Sequence, residues 1–206
     1  MRDSRRDVVR RGYDAIADRY LAARATGGDM ALLAEVVARL SPGDRILDAG
    51  CGAGVPVTCE LAGAGMEVVG IDLSGTQLDL ARSRVPAADL AQADLVALPF
   101  RRDSFDGLVS FYAVIHVPRA YHQTVFAEFR RVLRPGGVAL LCLGARDLPE
   151  DDDADSWLGT HMFWSHFDAH TNLEMLRATQ FNVLVDEIVT DPMDHGRHLF
   201  ALVTAT

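Results

Sequence analysis

Lysine is absent from the chain: all 20 of its non-histidine basic residues are arginine, a bias that GC-rich coding accounts for. Positive charge is also in the minority, with 29 acidic residues against those 20 and a formal net charge of −9. A field of that sign repels polyanions, which argues against nonspecific binding to nucleic acid or to an anionic membrane. Cysteine is scarce. Cys51, Cys59 and Cys142 are an odd, scattered set without metal-ligand spacing, which fits a reducing cytosol better than a disulfide framework. No apolar run is long enough to cross a bilayer, and no signal-peptide pattern opens the chain. Together these absences lead to the expectation of a cytoplasmic protein. No internal repeat and no second-domain boundary is visible. A length of 206 residues with 49% apolar and 24% charged side chains fits one globular domain, 1–206, with a substantial core.

What is present is organised around Arg45-Ile46-Leu47-Asp48-Ala49-Gly50-Cys51-Gly52-Ala53-Gly54. An apolar run ends in an acid, three glycines follow at alternate positions, and helical sequence begins. A strand entering a glycine-rich turn and a helix lets backbone approach a ligand closely. Before it, residues 2–24 read as a helix with Tyr13, Ile16, Ala17 and Tyr20 on one face. Its Arg2, Arg5, Arg6, Arg10 and Arg11, interleaved with acids, read as a solvated face rather than a docking patch. Thr26-Gly27-Gly28-Asp29 breaks that helix, and a second carries Met30 to Leu40. Strands are then expected at Arg45–Ala49, Met66–Ile71, Leu90–Ala93, Phe105–Phe111 and Val138–Leu143. Helices alternate with them at about Val55–Ala64, Gly75–Val85 (with Ser74 as N-cap) and Ala120–Leu133. This alternation implies right-handed crossovers and an α/β, doubly wound, largely parallel sheet.

After Gly144 the pattern changes. Glu150 to Asp155 is an acidic run, read as a solvated loop in preference to a cation site. Trp157 to Asp168 is rich in aromatics and histidines, and Thr171–Thr179 reads as a helix. Phe181–Val189 and His198–Thr204 read as an antiparallel hairpin at the sheet edge, joined through Thr190 to Gly196.

The acid before the glycines narrows the ligand. The dinucleotide fingerprint G-x-G-x-x-G would require glycine at Val55 or at Val57, and neither position has it. Asp48 would also repel a pyrophosphate but suits a cationic head. Asp72, at the end of the second strand, is placed for both hydroxyls of a ribose. Asp94, after the third, can accept from an exocyclic amine. Three carboxylates at three adjacent strand ends describe one molecule with an amino-acid head, a ribose and an adenine.

Five segments in order carry a resemblance to the class I S-adenosylmethionine-dependent methyltransferases, small-molecule type, over nearly the whole chain. They are Ile46 to Gly54, Val68 to Ser74, Gln92 to Phe100, Phe105 to Ser110, and Arg131 to Gly137. Tyr13 to Tyr20 also resembles that family's N-terminal helix, so residues 1–43 are expected to cover the cofactor. The resemblance implies a Rossmann-like methyltransferase fold, a seven-stranded mostly parallel sheet with its last strand antiparallel. It implies S-adenosyl-L-methionine as cofactor and the following roles. Gly50, Cys51 and Gly52 pass against the methionine part with Asp48 near its ammonium. Asp72 binds the ribose and Leu73 lines the adenine pocket. Asp94 and the Leu95 N–H hold adenine, and Ser110 and Phe111 lie near the sulfonium. For Tyr20, a cofactor contact and core packing both remain open.

The expected reaction is in-line methyl transfer to a small molecule, with oxygen favoured as the acceptor atom. Alignment supplies much of the rate, and a base is needed only for an acceptor that arrives protonated. Histidine suits that task near neutral pH. His116, just past the fourth strand, is the first candidate, followed by His166 and His198; a structural role is the alternative for each. His161, His170 and His195 complete the cluster. No zinc motif such as H-E-x-x-H is present, and no metal is expected. The Asn/Asp-Pro-Pro-aromatic motif of amino-group methylation is missing after the fourth strand, where Phe111-Tyr112-Ala113-Val114 stands. Residues 145–170, an acidic and aromatic insertion, are expected near the acceptor. A nicotinamide-dependent oxidoreductase and a non-catalytic S-adenosylmethionine binder are the competing readings. Oligomeric state is not legible.

Overall fold

The computed structural model of the protein describes residues 4–24, 30–191, 193 and 195–206, with backbone alone at 4 and 150–156. The expected helix break at Thr26-Gly27-Gly28-Asp29, and Pro192 and Asp194 of the hairpin connection, lie outside the described residues.

Side-chain alternation builds the sheet. In β1 (Arg45–Ala49), Ile46 packs on one face while Leu47 and Ala49 pack on the other, and all are fully buried. β2 (Glu67–Asp72) repeats this, with Val68 on the first face and Val69 and Ile71 on the second. Strands buried on both sides require helices on both sides. Helices α2 (Met30–Val37) and α3 (Val57–Gly63) cover the first face, burying Leu33, Val36 and Leu61. Helices α5 (His122–Val132) and α6 (Ala169–Ala178) cover the second with Val125, Phe126, Phe129 and Leu176. Helix α4 (Gly75–Arg84) connects β2 to β3 (Asp89–Gln92).

With β4 (Phe105–Ser110), β5 (Leu133–Gly144), β8 (Phe181–Thr190) and β9 (Arg197–Ala205), the seven strands run in the order β3-β2-β1-β4-β5-β9-β8. β1 to β5 are parallel, and β9 is antiparallel to both β5 and β8. This is the doubly wound sheet with an antiparallel last strand that the sequence leads one to expect. The chain reverses direction across the sheet between β1 and β4, which opens a crevice at their carboxyl ends. Local differences are small. Pro56 precedes α3 rather than sitting in its first turn. β5 begins at Leu133, because that residue already pairs with Phe105 of β4.

Two elements outside the sheet matter for the site. The acidic stretch expected as a loop is instead strand β6 (Leu148–Trp157), paired antiparallel with β7 (Thr160–His166) as a separate two-stranded sheet. Composition predicts a loop because aspartates disfavour strands; the ladder offered by the β-rich partner overrides that weak preference. Helix α1 (Ser4–Arg24) then packs on β7, its Val9 and Ile16 meeting Met162 and Phe163. Gly12 permits the close approach, since a Cβ there would stand 2.8 Å from the Met162 Cε. No helix among the described residues is long and apolar enough to cross a membrane.

Candidate functional site

The crevice is built on the turn after β1. Gly50 and Cys51 both donate backbone N–H groups to the Ile71 carbonyl, at 2.8 and 2.9 Å, which folds the chain back over β2. Gly50 is obligatory here: its φ is 92°, and a Cβ would stand 2.3 Å from that of Ala113. Asp48 is buried beneath the turn and accepts from the Thr58 hydroxyl at 2.6 Å. Burial pushes its carboxyl up to about 7; the Thr58 hydrogen bond opposes this and the nearby Asp72 charge adds to it. The Cys51 thiol is likewise pushed up by burial, so it is no ready nucleophile.

At the end of β2, Asp72 is pinned by two backbone donors, Gly52 at 2.9 Å and Ser74 at 2.8 Å. Burial raises its carboxyl against those bonds. Ser74 is the N-cap of α4, accepting from the Gln77 N–H at 3.1 Å, so Asp72 is not needed for that task. The Ser74 hydroxyl also donates to Asp14 at 2.6 Å, tying α1 to the site. Asp94 accepts from Arg6 at 2.8 Å and from the Val96 N–H at 3.1 Å. The arginine-rich start of α1 is therefore no merely solvated face: Arg6 bridges to the third carboxylate across 88 residues, a pairing without local signal.

Arg6, Asp72, Ser74 and Asp94 share one cavity of about 720 Å³, counted out to its open mouth. Gly50, Gly52, Asp72, Leu73, Asp94, Leu95, Phe111 and Tyr20 line it. A second cavity, of about 610 Å³, shares Tyr20, Gly50, Gly52 and Phe111 with the first and reaches Asp48 and Cys51. Ser110 is the exception among the expected residues. Its hydroxyl turns inward and donates to the Ala49 carbonyl at 2.8 Å, stapling β4 to β1, and it lines neither cavity. A residue inside a strand buried on both faces has no route to the crevice; the turn that follows, at Phe111 and Tyr112, does. A further polar group, Gln77, has no local signal in the sequence. Gln77 is 1% exposed and lines the first cavity, and neither of its amide atoms has a hydrogen-bond partner among the described residues. A buried amide without partners is costly unless a ligand satisfies it. A ribosyl-adenine with an amino-acid tail, offering hydroxyls and amines beside three carboxylates, fits this lining.

Tyr13, Tyr112 and His116 border both the first cavity and a third, of about 750 Å³. His116, His166 and His198 all line the third cavity, with Trp157 and Trp164 as aromatic walls. The His116 Nδ1 lies 2.7 Å from the Phe163 carbonyl and its Nε2 lies 2.8 Å from the Tyr13 hydroxyl. Burial lowers its basicity to about 4. His166 Nδ1 bonds the Arg146 carbonyl at 2.8 Å and is also lowered by burial. The His198 ring meets the Tyr112 ring edge-on at 5.1 Å. His161, His170 and His195 are exposed and line none of the three cavities. No group of three or more metal-binding side chains occurs among the described residues.

Tyr112 borders all three cavities and adopts left-handed backbone, φ 55°, an uncommon conformation held at functional sites by surrounding structure. Arg24 lies over its ring at 3.7 Å and grips Asp191 with two bonds of 2.8 and 2.7 Å. Tyr13 was legible as an apolar-face residue of a helix expected to cover the cofactor, but the Arg24–Asp191 pair, 167 residues apart, leaves no trace in sequence.

A family profile described as a methyltransferase domain matches residues 46–137. An uncharacterized methyltransferase of Synechocystis is 32% identical over 148 residues, spanning 72% of this chain and 67% of that protein. This chain belongs to the class I S-adenosylmethionine-dependent methyltransferases. A 24-methylenesterol C-methyltransferase 2 of Oryza sativa subsp. japonica is 40% identical over 103 residues, 47% of this methyltransferase and 28% of the rice protein, so the chain spans well under half that relative's length. The fold is also that of a Burkholderia thailandensis 1,6-didemethyltoxoflavin-N1-methyltransferase, solved with bound 1,6-didemethyltoxoflavin and S-adenosylhomocysteine. That likeness has a TM-score of 0.77 at 21% identity and covers 97% of this chain and 88% of the other. The methyltransferase's cofactor is S-adenosylmethionine, in keeping with the unpartnered Gln77 amide and the three carboxylates around the first two cavities.

Proposed function

We propose that this methyltransferase transfers the methyl group of S-adenosylmethionine to an oxygen of a small molecule bound in the third cavity. The observation that carries the reading is the adjacency of the two compartments at His116, which lines both the cavity holding Asp72 and the one walled by Trp157 and Trp164. In this reading the ribose sits on Asp72 and adenine between Leu73, Asp94 and Leu95. The methionine ammonium sits toward Asp48, and the sulfonium lies beside Phe111 and Tyr112. Trp157 and Trp164 offer an acceptor aromatic faces, and Arg24, Arg146, Arg197 and Asp191 of the same lining suit one that also carries polar groups. Residues 145–170, now the β6–β7 hairpin, and α1 form the acceptor side. His116, uncharged at neutral pH, is the favoured base; His166 and His198 face the acceptor from the other wall. Calorimetric titration is expected to give heat with S-adenosylmethionine and none with NADH; the reverse result overturns the reading.

A pH signature follows from Asp48. A cation beside it favours the carboxylate, so binding of the donor's ammonium expels the proton that the buried acid holds below about 7. Donor affinity is expected to rise with pH, at most about tenfold per unit, and to level off above that value. The unliganded protein moves the other way. A carboxyl raised on folding contributes stability that is complete below the ordinary carboxylate value of about 4 and is lost as pH rises through the folded one. Titrations in buffers of different ionisation enthalpy report the proton directly; no proton release at pH 6 would remove Asp48 from the ammonium's surroundings.

A further inference from the structure

The contact between Tyr13 and His116 carries more than packing. Phe163 offers His116 only a carbonyl oxygen, which can accept but not donate, so the Nδ1 atom carries the proton. The Nε2 atom is then a bare lone pair, and at 2.8 Å the Tyr13 hydroxyl donates to it. The base is thus already engaged, and what stands between it and an acceptor is a phenol. Tyr13 lines the donor cavity and the acceptor cavity alike. Its ring is fixed by edge contacts with Tyr20 at 5.1 Å and Trp157 at 5.8 Å.

We propose that Tyr13 is a catalytic residue that relays the acceptor's proton to His116. The proposal rests on the oxygen-acceptor reading above. In the step, an acceptor hydroxyl hydrogen-bonded to the Tyr13 oxygen gives up its proton to that oxygen as the Tyr13 proton passes to Nε2 of His116. The acceptor's oxygen forms its bond to the methyl carbon, the carbon–sulfur bond breaks, and its electron pair stays on sulfur. The products are the methyl ether, a neutral thioether and an imidazolium still donating to the Phe163 carbonyl. Tyr13 ends as it began. The balance explains why a buried, weakly basic histidine can serve. The sulfonium loses its positive charge in the step that charges the imidazole, so the site's total charge is unchanged. A histidine already cationic at neutral pH would face the sulfonium with a like charge and hold no lone pair. Other titratable or charged groups around the pair are His166 and His198 near His116, Arg24, which lies beside Tyr20 and Tyr112, and Asp72 on the donor side.

Two measurements test this. The first is the ring nitrogen spectrum of His116 in the intact protein, assigned by comparison with His116→Asn. The proton is expected on Nδ1, with Nε2 losing its hydrogen-bonded shift in Tyr13→Phe; a proton found on Nε2 overturns the relay whatever the acceptor. The second is methyl transfer from S-adenosylmethionine to 2-naphthol and to 4-nitrophenol at about pH 8, where only the latter is largely ionised and needs no proton removed. Tyr13→Phe is expected to lose about tenfold to a hundredfold more rate on 2-naphthol than on 4-nitrophenol. Equal losses on both would reduce Tyr13 to a packing residue and leave the oxygen-acceptor reading standing. Unaltered protein that binds the donor but methylates neither phenol overturns that reading itself, and the relay with it.

Discussion

Arg24→Ala is expected to destabilise the protein by about 3–5 kcal/mol, the range seen when one member of a buried ion pair is removed. Asp191 is 1% exposed, and without Arg24 its carboxylate keeps only the Met193 N–H, at 2.8 Å, among the described residues. The loss has two further parts, the stacking of the guanidinium over Tyr112 and its bond to the Tyr20 hydroxyl at 3.2 Å. Because Arg24 ends α1 and Asp191 follows β8, the pair joins the N-terminal helix to the sheet's far edge. Urea unfolding of the single variant and of Arg24→Met combined with Asp191→Leu separates the contributions. The double variant is expected to recover much of the loss, since it leaves no buried charge unpaired. A single-variant loss below about 1 kcal/mol, the level of a solvated pair, would show that water reaches the contact.

The second large effect is on the donor. Asp72→Ala is expected to weaken S-adenosylhomocysteine binding by about ten- to hundredfold or more, since hydrogen bonds to a charged group contribute about 1.5–3 kcal/mol. The carboxylate does two jobs at once. It fixes the turn through the Gly52 and Ser74 N–H groups, and it faces the cavity. Calorimetry on protein whose helical circular dichroism is retained isolates the binding part. Undiminished affinity would move the ribose away from β2.

What could be read in the sequence depended on the range of the interaction. β1 was legible to the residue, because the apolar run ending in Asp48 and the glycines beyond are local signals. The Ser74 cap was legible for the same reason, a side chain acting three residues away. The three cavity carboxylates followed from their positions at strand ends. Ser110 was misplaced by proximity: strand ends face the crevice, but its own side chain points into the β1–β4 seam, and only the packed sheet decides which. β6 was missed because its stabilising partner is another segment, not its own composition. Arg6 on Asp94, Tyr13 on His116 and Arg24 on Asp191 each join residues 88 or more apart, and no periodicity records them.

All three of those long-range contacts begin on α1. The helix is tied to Asp94 and Ser74 on one compartment and supplies Tyr13 to the wall of the other. One helix therefore supplies part of the wall of both compartments. Any displacement of α1 would part Arg6 from Asp94 and Tyr13 from His116 together.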